Sequence, residues 1–190
     1  MLNTYEKQDV MEKKEQIVLS NGEITLRPLK MEDAYDMFAY CSLNEIADGM
    51  TWDAHQSIED TKAFIDYTLN RLEGSNDVFL AIELDGVIVG STSLLYVDNR
   101  HHVAELGYML NPAYAGRGIV TKAVNLIMAH GFEKMAMNRI QARCFIDNAG
   151  SENVMKRVGM EFEGILRKRM FVKGHYHDMK MYSILREEWN

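Results

Sequence analysis

Apolar and polar positions alternate from Ile24 to Leu29, and the run meets Pro28, which predicts a strand. Over Glu32–Leu43 the spacing changes. Ala34, Met37, Phe38 and Cys41 recur at helical intervals. Ser57 is placed to cap a second helix, with Asp60 three residues on in the reciprocal position. That helix carries Thr61, Phe64, Ile65, Thr68, Leu69 and Leu72 on one stripe and stops at Gly74 and Asn76. Strand-like runs then take over. Val78–Leu84 and Val87–Val97 flank Asp85-Gly86, a two-residue hairpin signal. A polar turn over Asn99–His102 leads into Val103–Leu110. These three runs predict an antiparallel meander.

Asn111-Pro112 ends the meander, and helical spacing returns at Val120, Val124, Ile127, Met128 and Gly131. Ile140–Ile146 reads as a strand and Asn148–Val158 as a short helix ended by Gly159. Glu161–Val172 and Tyr176–Leu185 read as strands around Lys173-Gly174. The order β-α-α-β-β-β-α-β-α-β-β predicts an α+β fold, a mixed sheet with helices on its faces. A chain of 190 residues suits one domain. It is expected to span residues 18–190, after a polar leader over residues 1–17.

Composition narrows the function classes. With 47% hydrophobic and 26% charged residues, the chain has the balance of a folded globular protein. A formal net charge of −7 makes nucleic acid a poor partner, since phosphate contacts need clustered Lys and Arg. It gives no attraction to anionic membranes, and it suits a cationic substrate. No apolar run approaches the ~18 residues of a membrane span, and the mixed-charge N-terminus is unlike a signal peptide, so a cytoplasmic location is expected. Cys41 and Cys144 lack metal-site spacing and read as reduced, buried thiols. His101-His102 and His175-x-His177 have no third ligand nearby in sequence, and no metal is expected.

The candidate chemistry gathers where the meander gives way to a helix, over Leu110–Ala123. Gly116 and Gly118, one residue apart, allow positive φ and close approach to a ligand. Their amides would then point outward beside the positive end of a helix, an anion site for phosphates. Arg117 and Lys122 add positive charge. The same glycines also suit a tight strand-to-helix turn without a ligand. No Gly-Lys-Ser/Thr follows at the spacing of a Walker loop.

The surrounding residues resemble the GNAT acetyltransferases. In that family the pyrophosphate stretch reads Gln/Arg-x-x-Gly-x-Gly/Ala, and here it is matched by Ala115-Gly116-Arg117-Gly118-Ile119-Val120. Gly118 fits, whereas Ala115 and Val120 depart. The wider run Glu105-Leu106-Gly107-Tyr108-x-Leu110-x-Pro112-x-Tyr114-x-Gly116-x-Gly118 is more specific than the glycines alone. Asn148-Ala149-Gly150-Ser151 with Val158-Gly159-Met160 is similar to the RimJ/RimL-like branch, the ribosomal-protein-type α-amine acetyltransferases. So is the tail, Glu163-Gly164-x-Leu166-Arg167, Lys173–Asp178 and Met181–Leu185.

The resemblance implies the GNAT fold, a central, mostly antiparallel mixed sheet of seven strands flanked by about four helices. It implies direct transfer of acetyl from acetyl-CoA to a primary amine. Glu105, on the strand entering the phosphate loop, is the candidate base, and otherwise a member of a structural polar network. Many relatives carry a tyrosine seven residues after the conserved Asn, but here that position is Met155, which has no proton to give. In the RimJ/RimL-like pattern Ser151 takes over, and otherwise it serves the first turn of its helix. Asn148 is expected on the pantetheine arm or as an N-cap. Leu110, Ala115, Gly116, Arg117, Gly118, Ile119, Val120 and Thr121 are the remaining expected cofactor contacts. Tyr108 and Trp52 are expected to meet the acceptor, with the acidic loop of Asn44–His55 receiving a cationic amine. The acceptor is expected to be a protein or peptide N-terminus. The alternatives are a small amine such as a polyamine, amino acid or antibiotic, or a domain that binds acyl-CoA without catalysis. Strands near the C-terminus allow a homodimer.

Overall fold

The computed structural model describes residues 16–189, so the polar leader lies outside the described span as far as residue 15. Eight strands form one sheet: β1 (Leu19–Ser20), β2 (Thr25–Pro28), β3 (Val78–Leu84), β4 (Val87–Asp98), β5 (Val103–Leu110), β6 (Arg139–Phe145), β7 (Glu161–Val172) and β8 (His175–Leu185). Their spatial order is β1-β2-β3-β4-β5-β6-β8-β7. Every pairing is antiparallel except β5 with β6. The helices are α1 (Ala34–Cys41), α2 (Asn44–Ala47), α3 (Ile58–Leu72), α4 (Ile119–Glu133) and α5 (Ala149–Arg157).

The sheet has eight strands among the described residues, where seven were expected. The addition is β1, whose two residues pair with Leu26 and Thr25 and are too few to show alternation. The additional helix, α2, spans four residues and is likewise shorter than a period of 3.6 can reveal. The helix expected from Glu32 begins as a 3-10 turn over Met31–Asp33 before α1.

Local chemistry explains the connections. Asp85 and Gly86 take φ of 51° and 80°, and Lys173 and Gly174 take 50° and 83°. Two successive positive φ values define the hairpin turn whose twist matches its strands. At α3, Ser57 Oγ accepts from the Asp60 amide at 3.4 Å, and Asp60 Oδ2 accepts from the Ser57 amide at 2.9 Å. This is the capping box read from the sequence.

The sheet is covered on both faces. Leu80, Ile82, Leu94, Ala104 and Leu106 pack with Ile119, Ala123, Val124, Ile127 and Met128 of α4. On the opposite face Ala81, Ile88 and Met109 pack with Met37, Tyr40 and Cys41 of α1 and Ile65 of α3. Burial on this scale, ~25 cal/mol per Å² of apolar surface, holds the layers together.

The feature that positions the site is a splay in the middle of the sheet. β5 pairs with β6 only at Val103–Arg139, Ala104–Ile140 and Glu105–Gln141. Beyond Glu105, β5 continues to Leu110 against β4, and β6 continues to Phe145 against β8. The two strands therefore diverge, and the sheet opens between them.

Candidate active site

A cavity of about 460 Å³ fills the splay. Glu105, Tyr108 and Leu110 of β5 line one side and Arg143 of β6 the other, with Asn148 and Ser151 at the start of α5. Alternation puts Glu105 and Tyr108 on opposite faces of β5. Both reach the cavity because it passes through the sheet. The structure thus brings Glu105, Tyr108, Asn148 and Ser151 onto one cleft, joined by Leu110 and Val120 from the two ends of the glycine loop.

That loop has the conformation its glycines permit. Gly116 and Gly118 take φ of 75° and 74°, values in which an L side chain is strained. Gly118 is the N-cap of α4 and offers no side chain to the helix end. The first helical hydrogen bond is donated by the Lys122 amide to the Gly118 carbonyl at 3.1 Å. The amides of Gly118, Ile119, Val120 and Thr121 therefore precede the helical ladder and stand open to an anion at the positive end of a four-turn helix. Of the two nearby cations, Lys122 is ion-paired with Glu23, and the Arg117 guanidinium lies 5.5 Å from the centre of the Tyr114 ring. Ala115 has extended backbone where it closes a 3-10 turn over Pro112–Tyr114.

At the floor of the cleft, Glu105 is paired with Arg143. Nη2 and Nε of Arg143 both donate to Glu105 Oε1, at 2.6 and 3.0 Å. Oε2 takes no bond from the guanidinium. Arg143 was not among the sequence candidates. The available signal was a charged residue in the middle of a strand whose other parity, Ile140, Ala142 and Cys144, is core.

At the start of α5, Asn148 Oδ1 accepts from the Ser151 amide at 3.0 Å, the N-cap geometry. Tyr108 Oη lies 2.9 Å from both the Ser151 carbonyl oxygen and Ser151 Oγ. Burial pushes the Tyr108 phenol well above its usual range, and the Ser151 hydrogen bond only partly offsets this, so the phenol keeps its proton. The next residue, Glu152, anchors the helix to β8. Lys180 Nζ donates to its Oε2 at 2.6 Å and the Tyr182 hydroxyl to its Oε1 at 2.7 Å. Lys156 adds a third contact at 2.8 Å. Lys156 foremost, then Lys180 and Tyr182, hold the Glu152 carboxyl down at about 2. Met155, where many relatives carry tyrosine, is fully buried in the main core.

The far wall comes from distant parts of the chain. Glu45 and Met50 follow α1, and Met170 and Met179 come from β7 and β8. Lys173, at the β7–β8 turn, donates to the Ala47 carbonyl at 2.8 Å and ties that hairpin to α2. Trp52 is not part of this lining. Its ring packs 5.0 Å from His55 and 6.4 Å from Phe64. Cys41 and Cys144 are both buried free thiols, and burial pushes Cys41 up to about 12. Cys144 borders the cavity. No cluster of His, Cys, Asp and Glu able to hold a metal forms among the described residues.

The sequence and the fold both match known acetyltransferases. Residues 23–161 match the family model described as an acetyltransferase (GNAT) domain. The chain is 28% identical over 129 residues to the ribosomal-protein-serine acetyltransferase of Escherichia coli (strain K12), covering 67% of this chain and 72% of that protein. It is 23% identical over 170 residues to the spermidine N(1)-acetyltransferase of the same organism, covering 90% of each. The crystal structure of the Microcin C7 self immunity acetyltransferase MccE in complex with acetyl-CoA and AMP superposes with a TM-score of 0.79 at 28% identity, over 87% of this chain and 93% of that one. With a splayed mixed sheet, a glycine-turned helix N-terminus at the splay and a family match over most of its length, the chain belongs to the GNAT acetyltransferase family.

Proposed function

We propose that the protein transfers acetyl from acetyl-CoA directly to a primary amine, and that the acceptor is the α-amine of a protein or peptide N-terminus. The observation that carries this reading is the splay beyond Glu105–Gln141, which opens one cavity to Glu105, Ser151 and the start of α4. The cavity's chemistry fits acetyl-CoA. The open amides of Gly118–Thr121 suit a pyrophosphate. The edge of β5 freed by the splay suits the amides of the pantetheine arm, as a strand edge accepts an extended partner. Asn148 has committed its carbonyl oxygen to capping, which leaves its Nδ2 for that arm. Bound there, acetyl-CoA supplies an activated acyl group on a thiolate leaving group.

The residues divide the remaining work. Glu105 accepts the proton of the incoming ammonium, directly or through one water. Arg143 holds the carboxylate by Oε1 and fixes where Oε2 is presented. Ser151 places a hydroxyl at the leaving side. An α-amine titrates near 7.7–8.0, against about 10.4 for lysine, so a modest base suffices for the first. Glu45 on the far wall adds a second carboxylate to the cleft and favours a cationic acceptor.

The two E. coli relatives act on unlike acceptors by name, a ribosomal protein and spermidine. The test is therefore acetyl-CoA-dependent thiol release across N-terminal peptides, polyamines, amino acids and aminoglycosides. Release with peptides and not with polyamines supports the α-amine reading, and the reverse assigns a small-amine enzyme. Acetyl-CoA binding without release on any acceptor assigns a non-catalytic acyl-CoA-binding domain.

A further inference from the structure

Tyr108 has one proton and two acceptors. Its oxygen lies 2.9 Å from the Ser151 carbonyl and 2.9 Å from Ser151 Oγ. A carbonyl only accepts, so when the phenol donates to it, the Oγ contact is a hydrogen bond only if the serine hydroxyl donates to Tyr108. In that arrangement the serine proton is turned toward the phenol. When the phenol donates to Oγ instead, the serine proton is released to point elsewhere in the cavity. The carbonyl that gives up the phenol lies inside α5, where the helical ladder still serves it. The exchange therefore costs little, and it decides whether Ser151 has a proton to offer.

We propose that Tyr108 is a positioning residue that acts through Ser151, switching its hydroxyl from the Ser151 carbonyl to Ser151 Oγ so that the serine O–H hydrogen-bonds a thiolate in the cavity. This rests on the acetyl-CoA reading above. The surroundings fit such a role. Asn148 holds the Ser151 amide, and Lys180, Lys156 and Tyr182 hold Glu152. The backbone on either side of the serine is thus fixed, and the remaining freedom is in the two hydroxyl rotors. Position 155 lies in the core, so the phenol beside the serine comes from β5 and not from the helix. Each hydroxyl polarises the other, and a chain of two donors is stronger toward an anion than one alone. An aromatic placed only to touch the acceptor would need no contact with the first turn of α5.

The test is a titration of the product, CoA, bound to the protein, with the thiolate followed by its ultraviolet absorbance. A donor aimed at sulfur stabilises the thiolate and lowers the pH at which it forms. Loss of one hydrogen bond to a charged group is expected to raise that midpoint by about one unit. The expected result is that Tyr108→Phe and Ser151→Ala each raise the midpoint, and that the double variant titrates like Ser151→Ala alone. CoA affinity and the thermal midpoint of Tyr108→Phe should stay near wild type, which separates the effect from misfolding. In turnover, Tyr108→Phe should lower kcat and leave the acceptor KM in place. A wild-type titration for Tyr108→Phe overturns the inference, as do additive shifts in the double variant or a change confined to the acceptor KM. Failure of the wild-type protein to bind CoA overturns the acetyl-CoA reading and this one with it. Normal CoA binding with an unmoved titration overturns this one alone.

Discussion

The two walls of the cleft are built from different material. The wall toward α4 and α5 is set by backbone elements: the first turn of α4 at Val120, the edge of β5 beyond Glu105, and the first turn of α5, whose Ser151 amide is capped by Asn148. The opposite wall is side chain: Glu45, Met50, Met170 and Met179, carried by α2 and the turn after it and by the β7–β8 hairpin. Backbone groups are fixed by the elements that contain them, so the first wall suits a ligand that is the same in every turnover. Methionines are flexible and adapt their shape, so the second suits a site whose partner differs from one family member to another. Glu105 and Arg143 sit at the floor where the walls meet.

Substitutions can break this contrast in graded steps. Glu105→Gln removes the proposed base and keeps the shape, so kcat should fall by about 10²–10⁴-fold with acetyl-CoA affinity unchanged. Equal losses in both would move Glu105 from the floor to the cofactor wall. Gly118→Val forces a branched side chain into φ 74°. It should cost roughly 1–2 kcal/mol of stability and weaken acetyl-CoA by about tenfold or more, read by calorimetry beside a thermal melt. Lys173→Met removes the strap on the Ala47 carbonyl. Acceptor KM should rise by roughly fivefold, about 1 kcal/mol, with acetyl-CoA binding intact. A matched loss of cofactor affinity would show that the two walls are coupled.

The smallest effect is in acid stability. Glu163, paired with Arg139 and accepting from Ser183, is held at about 2, as Glu152 is by Lys156, Lys180 and Tyr182. Both lie below the ordinary glutamate value near ~4.3 of an unfolded chain. Their stabilisation is therefore complete above ~4.3 and is lost as the pH falls toward ~2. Glu152→Gln and Glu163→Gln should each flatten the acid limb of a stability–pH profile, and only Glu152→Gln should also slow turnover, because α5 carries Ser151.

The contrast between the walls also explains what could be read early. Val78–Leu84, Val103–Leu110 and Glu161–Val172 were legible to the residue, because each run is bounded on both sides by turn residues such as Asp85-Gly86, Asn111-Pro112 and Lys173-Gly174. The Ser57 box and the Gly116–Gly118 turn were legible because each is a short-range demand of one backbone segment on its own residues. α2 and β1 were too short to leave a period. Arg143 was overlooked because nothing local says what a charged residue in mid-strand will face. For Trp52 the acidic neighbourhood suggested an acceptor contact, and nothing local said that its ring would pack on His55 and Phe64.

By itself, then, the sequence determined the alternation of elements, the Gly116–Gly118 turn and the cap of α5, all set by interactions within a few residues. Only the tertiary structure decided that β6 would lie parallel to β5 for three residue pairs and then part from it. That divergence joins Glu105 to Arg143 and Tyr108 to Ser151, pairs 38 and 43 residues apart. Contacts at such separation form only when the whole sheet closes, because chain entropy opposes them until many are made together.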